Sequence, residues 1–332
     1  MATPTDIPKR GGLRALFRGL GDALQWRLLL AWMLGLLLPT AIVALPVWRS
    51  LAAQLDHSLR VERIASGFDA MALTDALGNI GQNGAWFGGA GIGASMVALL
   101  LAPWLGGMVV ASIRTGYPLG FAGLVGGGVR EYGRMLRTLL WALVPMGVAL
   151  GVAGMVLGFA YQRTEGAILA AEVEQALDTA LIVGAVLLVI AHASVEAGRG
   201  ALAADPALRS AVRAWGRGML LLLRRPLATL LVYLGTALVG YGLAAGFGVL
   251  RLQASGSGWP DVLLGVVLTQ LVVAAIAWGR SARLYAMADL ARNDARRHPV
   301  KPKAAREAPQ PRTADASEAS EAAPAPAEAT VA

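Results

Sequence analysis

The chain contains no cysteine and only 3 histidines among 332 residues. Disulfides, cysteine-ligated clusters and thiol catalysis are therefore excluded. Charge is scarce too. Asp, Glu, Lys and Arg make up 15% of the chain against 56% hydrophobic residues, which is not the balance of a soluble domain. Catalytic and ligand-binding signatures are equally thin. The glycine-rich stretch GNIGQNGAWFGGAGIG at 78–93 has no Gly-Lys-Ser/Thr and follows no strand, so it is no phosphate loop. Asp56, His57, Glu62, Asp69 and Asp75 lack metal-ligand spacing, and no His-Glu-x-x-His occurs. No metal and no cofactor is expected. Gly93-Ala94-Ser95-Met96 falls short of the serine motif of rhomboid-type proteases, and the Gly-x-Gly-Asp type of intramembrane protease is also set aside.

What the chain has is long apolar runs led by arginines. Val129–Gly158 reads VREYGRMLRTLLWALVPMGVALGVAGMVLG, a basic amphipathic segment passing into an uncharged run. About 20 such residues cross roughly 30 Å of hydrocarbon. Val212–Gly246 repeats the design: VREYGR and VRAWGR agree at four of six positions. Six spans are predicted, at about 27–48, 92–113, 138–160, 176–197, 227–250 and 260–279. Ahead of the first, Leu13, Leu16, Phe17, Leu20 and Leu24 recur at helical spacing with Arg10, Arg14 and Arg18 on another face, the pattern of an interfacial helix.

Orientation follows from the basic residues. Of 29 Lys and Arg, only Arg49, Arg60, Arg63, Arg163 and Arg251 fall on the side opposite the amino terminus. Basic loops stay in the cytoplasm, so both termini are expected there. The predicted fold is an all-α integral membrane protein whose six transmembrane helices form three parallel helical-hairpin repeats, each preceded by a cytoplasmic amphipathic helix. Residues 1–26 form the cytoplasmic lead, 27–297 the membrane domain, and 298–332, rich in Pro, Ala, Glu and Lys, a disordered cytoplasmic tail.

The plan, together with LLPTAIVALPVW, LLLAPWLGGM and AVRAWGRGMLLLLRRP, resembles uncharacterised six-span bacterial inner-membrane proteins. It is distantly similar to the membrane domain attached to some glycerophosphodiester phosphodiesterases. The resemblance covers residues 13–297. It implies a bacterial inner-membrane location and brings no catalytic residues; the chain has no room for the soluble phosphodiesterase domain.

Three groups of residues stand out as candidates. Arg14, Arg18, Arg130, Arg134, Arg209, Arg213 and Arg217 are spaced to meet anionic lipid headgroups or an interface. His192 and Glu196 lie one turn apart inside a span, where ionisable groups are functional by default. With Arg199 just beyond, a self-satisfying cluster near the headgroups is the favoured reading over a proton-coupled gate. Gly147, Gly151, Gly154 and Gly158, and Gly235, Gly242 and Gly246, form stripes expected to pack helices closely. The function expected is a non-enzymatic scaffold or accessory subunit that binds anionic membrane lipids, or a membrane-protein partner or second copy, and no nucleic acid. A transporter or channel for a small solute or lipid is the alternative. It would have a mid-membrane cavity lined by Tyr233, Thr236, Thr269 or Gln270.

Overall fold

The computed structural model describes residues 11–55, 84–166, 169–254 and 258–298. Among them there are eight α-helices and no strand: α1 (Gly12–Asp22), α2 (Trp26–Leu55), α3 (Gly84–Thr115), α4 (Phe121–Thr164), α5 (Ala170–Ala204), α6 (Ala211–Arg224), α7 (Pro226–Gln253) and α8 (Trp259–Arg297). All but α1 and α6 contain a stretch long and apolar enough to cross a bilayer. The chain has the helices of a multi-pass membrane protein. Met1–Asp294 forms one compact unit and Ala295–Ala332 a second, of which residues 295–298 are described. The expected tail lies outside the described residues apart from His298, as do Arg10, Asp56, His57, Glu62, Asp69 and Asp75.

The helices outrun the predicted spans. The internal prolines Pro39, Pro46, Pro103 and Pro145 do not end them. The glycine-rich stretch is helical from Gly84. The basic segment at Val129 and the span after it form one helix of 44 residues, whereas the segment at Val212 is cut from its span at Arg225. The reason is Pro226, which has no N–H to donate and keeps the preceding residue out of the α region. Arg225 takes φ −139° and ψ 59°.

α1, α6 and the turns at 116–120 and 205–210 gather at one end of the bundle, the near end, where the buried core also lies. Leu28, Leu105, Met108, Leu124, Leu202 and Leu284 belong to one cluster there, and Leu16, Leu221, Val232, Met287 and Leu290 to another. Small residues set the spacing. A methyl group on Gly198 would lie 2.9 Å from Trp215 Cα, one on Gly19 would lie 2.7 Å from Ala282 O, and one on Gly279 would lie 2.9 Å from Gly240 Cα. α1 thus buries Gly12, Ala15, Leu16 and Gly19 against protein, while Leu13 and Phe17 face outward.

The predicted glycine stripe on α4 is corrected. Gly147, Gly151, Gly154 and Gly158 are exposed with nothing within 4 Å of where a side chain would begin, and so are Gly242 and Gly246. Gly235 alone of that set packs closely, against Leu16 of α1. Spacing along a helix that is apolar all round defines a stripe but not the direction in which it faces.

Polar links complete the near end. Arg114 pairs with Glu131 and donates to Leu202 O at 2.8 Å, capping the C-terminus of α5. Arg134 donates to Glu131 and to Pro206 O, and Arg292 donates to Ile113 O at 3.0 Å. Basic groups at helix C-termini satisfy carbonyls that have no helical partner. Gln25, Ser112 and Tyr285 close a ring: Gln25 Nε2 donates to Tyr285 Oη, Tyr285 Oη to Ser112 Oγ, and Ser112 Oγ to Gln25 Oε1. Asp205 accepts from Arg217 at 2.6 Å and from the Ala207 N–H at 2.9 Å.

Two outcomes are expected. Gly198→Val forces α5 from α6 and lowers stability by about 1–3 kcal/mol, whereas Gly151→Val changes it by less than about 0.5 kcal/mol; thermal unfolding in mild detergent distinguishes them. The hydrogen bond from Arg217 holds the Asp205 carboxyl below its ordinary 3.8. A carboxyl depressed by folding stabilises the protein above its unfolded pKa and loses that contribution as pH falls through the folded one. Because the pair is solvent-exposed, Asp205→Asn should cost less than about 1 kcal/mol near neutral pH. The gap to wild type should shrink as pH falls below about 3.8.

Candidate functional site

His192, Glu196 and Arg199 sit on one face of α5 because residues three and four apart share a helix side. Glu196 Oε1 accepts from Arg199 Nη1 at 2.7 Å, and His192 Nε2 lies 3.9 Å from the same oxygen. His192 Nδ1 is 2.7 Å from Tyr233 Oη on α7. The expected cluster is therefore formed, with Tyr233 as an additional member.

The cluster forms part of the wall of a cavity of about 330 Å³ bordered by α2, α3, α4, α5, α7 and α8. Facing it from α8 are Arg280 and Arg283. Arg283 is 5% exposed; its Nε donates to Thr236 Oγ1 at 3.3 Å and its guanidinium carbon lies 4.7 Å from the centre of the Tyr233 ring. No carboxylate of the described residues is within ion-pair distance of it. Glu196, the one acid on the wall, is engaged by Arg199. Three arginines and one glutamate leave the wall at +2 with His192 neutral. Two more donors are unused: Trp32 Nε1 and Arg199 Nε are buried without a hydrogen-bond partner among the described residues. Ala102, Pro103, Val109, Met135, Leu139 and Leu284 supply the apolar part of the wall, with Gly106 and the Tyr241 phenol completing it.

Charges inside a low-dielectric wall interact more strongly than in water, and an unmatched one is costly. The arrangement is suited to holding an anion.

The sequence pattern ends the last span at Gly279, which leaves Arg280 and Arg283 outside the candidate residues. α8 continues unbroken to Arg297, so both side chains belong to the bundle. One signal was present: Arg280-x-x-Arg283 has the spacing of Glu196-x-x-Arg199. Of the residues proposed for a transport cavity, Tyr233 and Thr236 meet Arg283, while Thr269 and Gln270 border a separate groove with Arg251 and Asp261. Arg14, Arg18, Arg130, Arg209 and Arg213 are exposed, but Arg134 and Arg217 are engaged within the protein. Gly19-Leu20-Gly21-Asp22 does spell Gly-x-Gly-Asp; Asp22 is exposed at the end of α1, outside the six spans.

No protein-family model, no curated protein and no solved structure matches the chain.

Glu196→Gln removes the charge that answers Arg199 and should cost roughly 3 kcal/mol, because it strands a half-buried guanidinium. His192→Ala, at a side chain 39% exposed, should cost only about 1 kcal/mol through its lost hydrogen bond. Comparing the two by thermal unfolding checks that ranking.

Proposed function

We propose that this is a non-enzymatic protein of the bacterial inner membrane that binds an anionic ligand in the α2–α8 cavity, as a lipid-binding scaffold or accessory subunit. The observation that carries the reading is Arg283: 5% exposed, charged, and without a contacting carboxylate. A buried guanidinium in that state is stabilised by whatever anion reaches it. The five exposed arginines of the near end add a surface suited to anionic headgroups.

In this reading both termini are cytoplasmic, and the chain is three parallel hairpins, each led by a basic amphipathic segment. The excess of Lys and Arg on one side supports the orientation. The packing supports the repeats. Gly19 of α1 meets α8, Gly128 of α4 meets Gly107 of α3, and Gly218 of α6 meets Gly198 of α5, so each leading segment rests on the returning helix of another hairpin. The resemblance to six-span inner-membrane proteins agrees with the location. A carrier is the second reading, favoured by ionisable side chains around an internal cavity; proteoliposomes that accumulate no labelled anion across a gradient would remove it.

The chain's lack of cysteine makes topology directly measurable. An impermeant maleimide on whole cells should label Gln162→Cys and leave Ala207→Cys unlabelled; labelling of Ala207→Cys would reverse the orientation. For anion binding, pyrophosphate is a suitable soluble probe. At a hundred times its Kd it should stabilise the wild type by about 2.7 kcal/mol and leave Arg283→Gln unchanged. Equal response of the two proteins to pyrophosphate and to every anionic lipid would end the reading.

A further inference from the structure

Among the described residues of the cavity wall, His192 is the one whose side chain ordinarily changes charge near neutral pH, at about 6.5. Arginines stay protonated at every pH a protein meets, the Tyr241 phenol ordinarily titrates near 10, and Glu196 is paired with Arg199. The partners of His192 fit both of its charge states. A neutral imidazole donates at one nitrogen and accepts at the other. With Tyr233 Oη donating to Nδ1 across 2.7 Å, the Nε2 proton is directed at Glu196 Oε1, 3.9 Å away. An imidazolium donates at both nitrogens, and the Tyr233 oxygen and the Glu196 carboxylate can each accept. A second proton thus needs no change beyond a turn of the Tyr233 hydroxyl. Charge opposes it. Glu196 and Arg199 on α5 and Arg280 and Arg283 on α8 are the charges that act on His192. From α7 come the neutral Tyr233 and Tyr241, and the wall residues of α2, α3 and α4 carry no ionisable group. Protonation would raise the wall from +2 to +3.

We infer that anion binding in this cavity takes up a proton at His192, so that the site fills as pH falls and empties as pH rises. This rests on the anion-binding reading above and adds its regulation. The proton comes from water, for which about 330 Å³ lined by charged side chains has room, and it adds at Nδ1. An anion among Arg199, Arg280 and Arg283 answers the excess charge that opposes the imidazolium. The imidazolium in turn adds a further cation to the wall, so each favours the other. Linkage makes the effect reciprocal: the factor by which the anion favours protonation is the factor by which the proton favours the anion. Affinity is therefore highest below the titration of His192 and falls as pH rises through it. The slope is at most about ten-fold per pH unit, because one proton is involved. Tyr233 places the two events side by side. Its hydroxyl meets the His192 ring, and its ring face lies 4.7 Å from the Arg283 guanidinium carbon.

Sulfate is the probe, because it stays a dianion from pH 5 to pH 8, whereas pyrophosphate takes up protons of its own in that range. Thermal unfolding and titration calorimetry of the full chain in mild detergent give its affinity. The wild type should bind sulfate at least about ten-fold more tightly at pH 5 than at pH 8. His192→Gln should lose that dependence. A double variant, His57→Gln with His298→Gln, removes the other two histidines of the chain and should keep it. Calorimetry of the wild type in two buffers of different ionisation heat needs no variant, and should show net proton uptake with each sulfate within that range. The same pH dependence in wild type and His192→Gln overturns the coupling and leaves the anion site standing, as does the absence of proton uptake anywhere between pH 5 and pH 8. If sulfate does not distinguish wild type from Arg283→Gln at any pH, the anion site itself is lost, and the coupling with it.

Discussion

Gly198 and Gly218 bring α5 and α6 together so closely that neither could carry a methyl group, and Gly240 with Gly279 does the same for α7 and α8. In lipid there is no hydrophobic force to drive such contacts, because the solvent is as apolar as the side chains. Association has to come from packing and polar links at short range. That is why the Gly198–Gly218 contact, the Arg114 and Arg292 caps and the Gln25–Ser112–Tyr285 ring share the near end, while Gly240 and Gly279 extend close packing toward mid-helix. The far halves of the spans lack this density; α4 turns Leu143, Val148, Met155 and Phe159 outward there.

The same closeness creates the cavity. Gly200 of α5 lies close against Met287 of α8, and Arg199 and Arg283 of the same two helices share one wall. Their charges are treated differently. Arg199 has Glu196 at 2.7 Å, while Arg283 touches the Thr236 hydroxyl and the Tyr233 ring and feels Glu196 only from beyond contact distance. A hydroxyl and a π-face moderate a buried cation but do not neutralise it. The imbalance leaves the wall with an excess of positive charge, which is what the proposed anion would answer.

Much of this was legible beforehand. Apolar length located all six membrane helices, since the hydrocarbon thickness leaves little choice. The spacing of His192, Glu196 and Arg199 implied their pairing, because an α-helix places such residues on one side. Local sequence also explains why Pro226 breaks α6 from α7 while α4 continues. The misreadings have a common origin. Gly147 to Gly158 promised a packed face that the bundle turns outward, and Arg280 and Arg283 looked like loop charges after Gly279.

Sequence by itself therefore determined the number of long apolar helices and the pairs within one helix, set by composition and by a 3.6-residue period. Only the tertiary structure decided which glycines touch and which arginines share a wall. Those depend on how each helix is rotated about its own axis. A span that is apolar on every side carries no record of that rotation, which appears only when another backbone comes close enough to choose it.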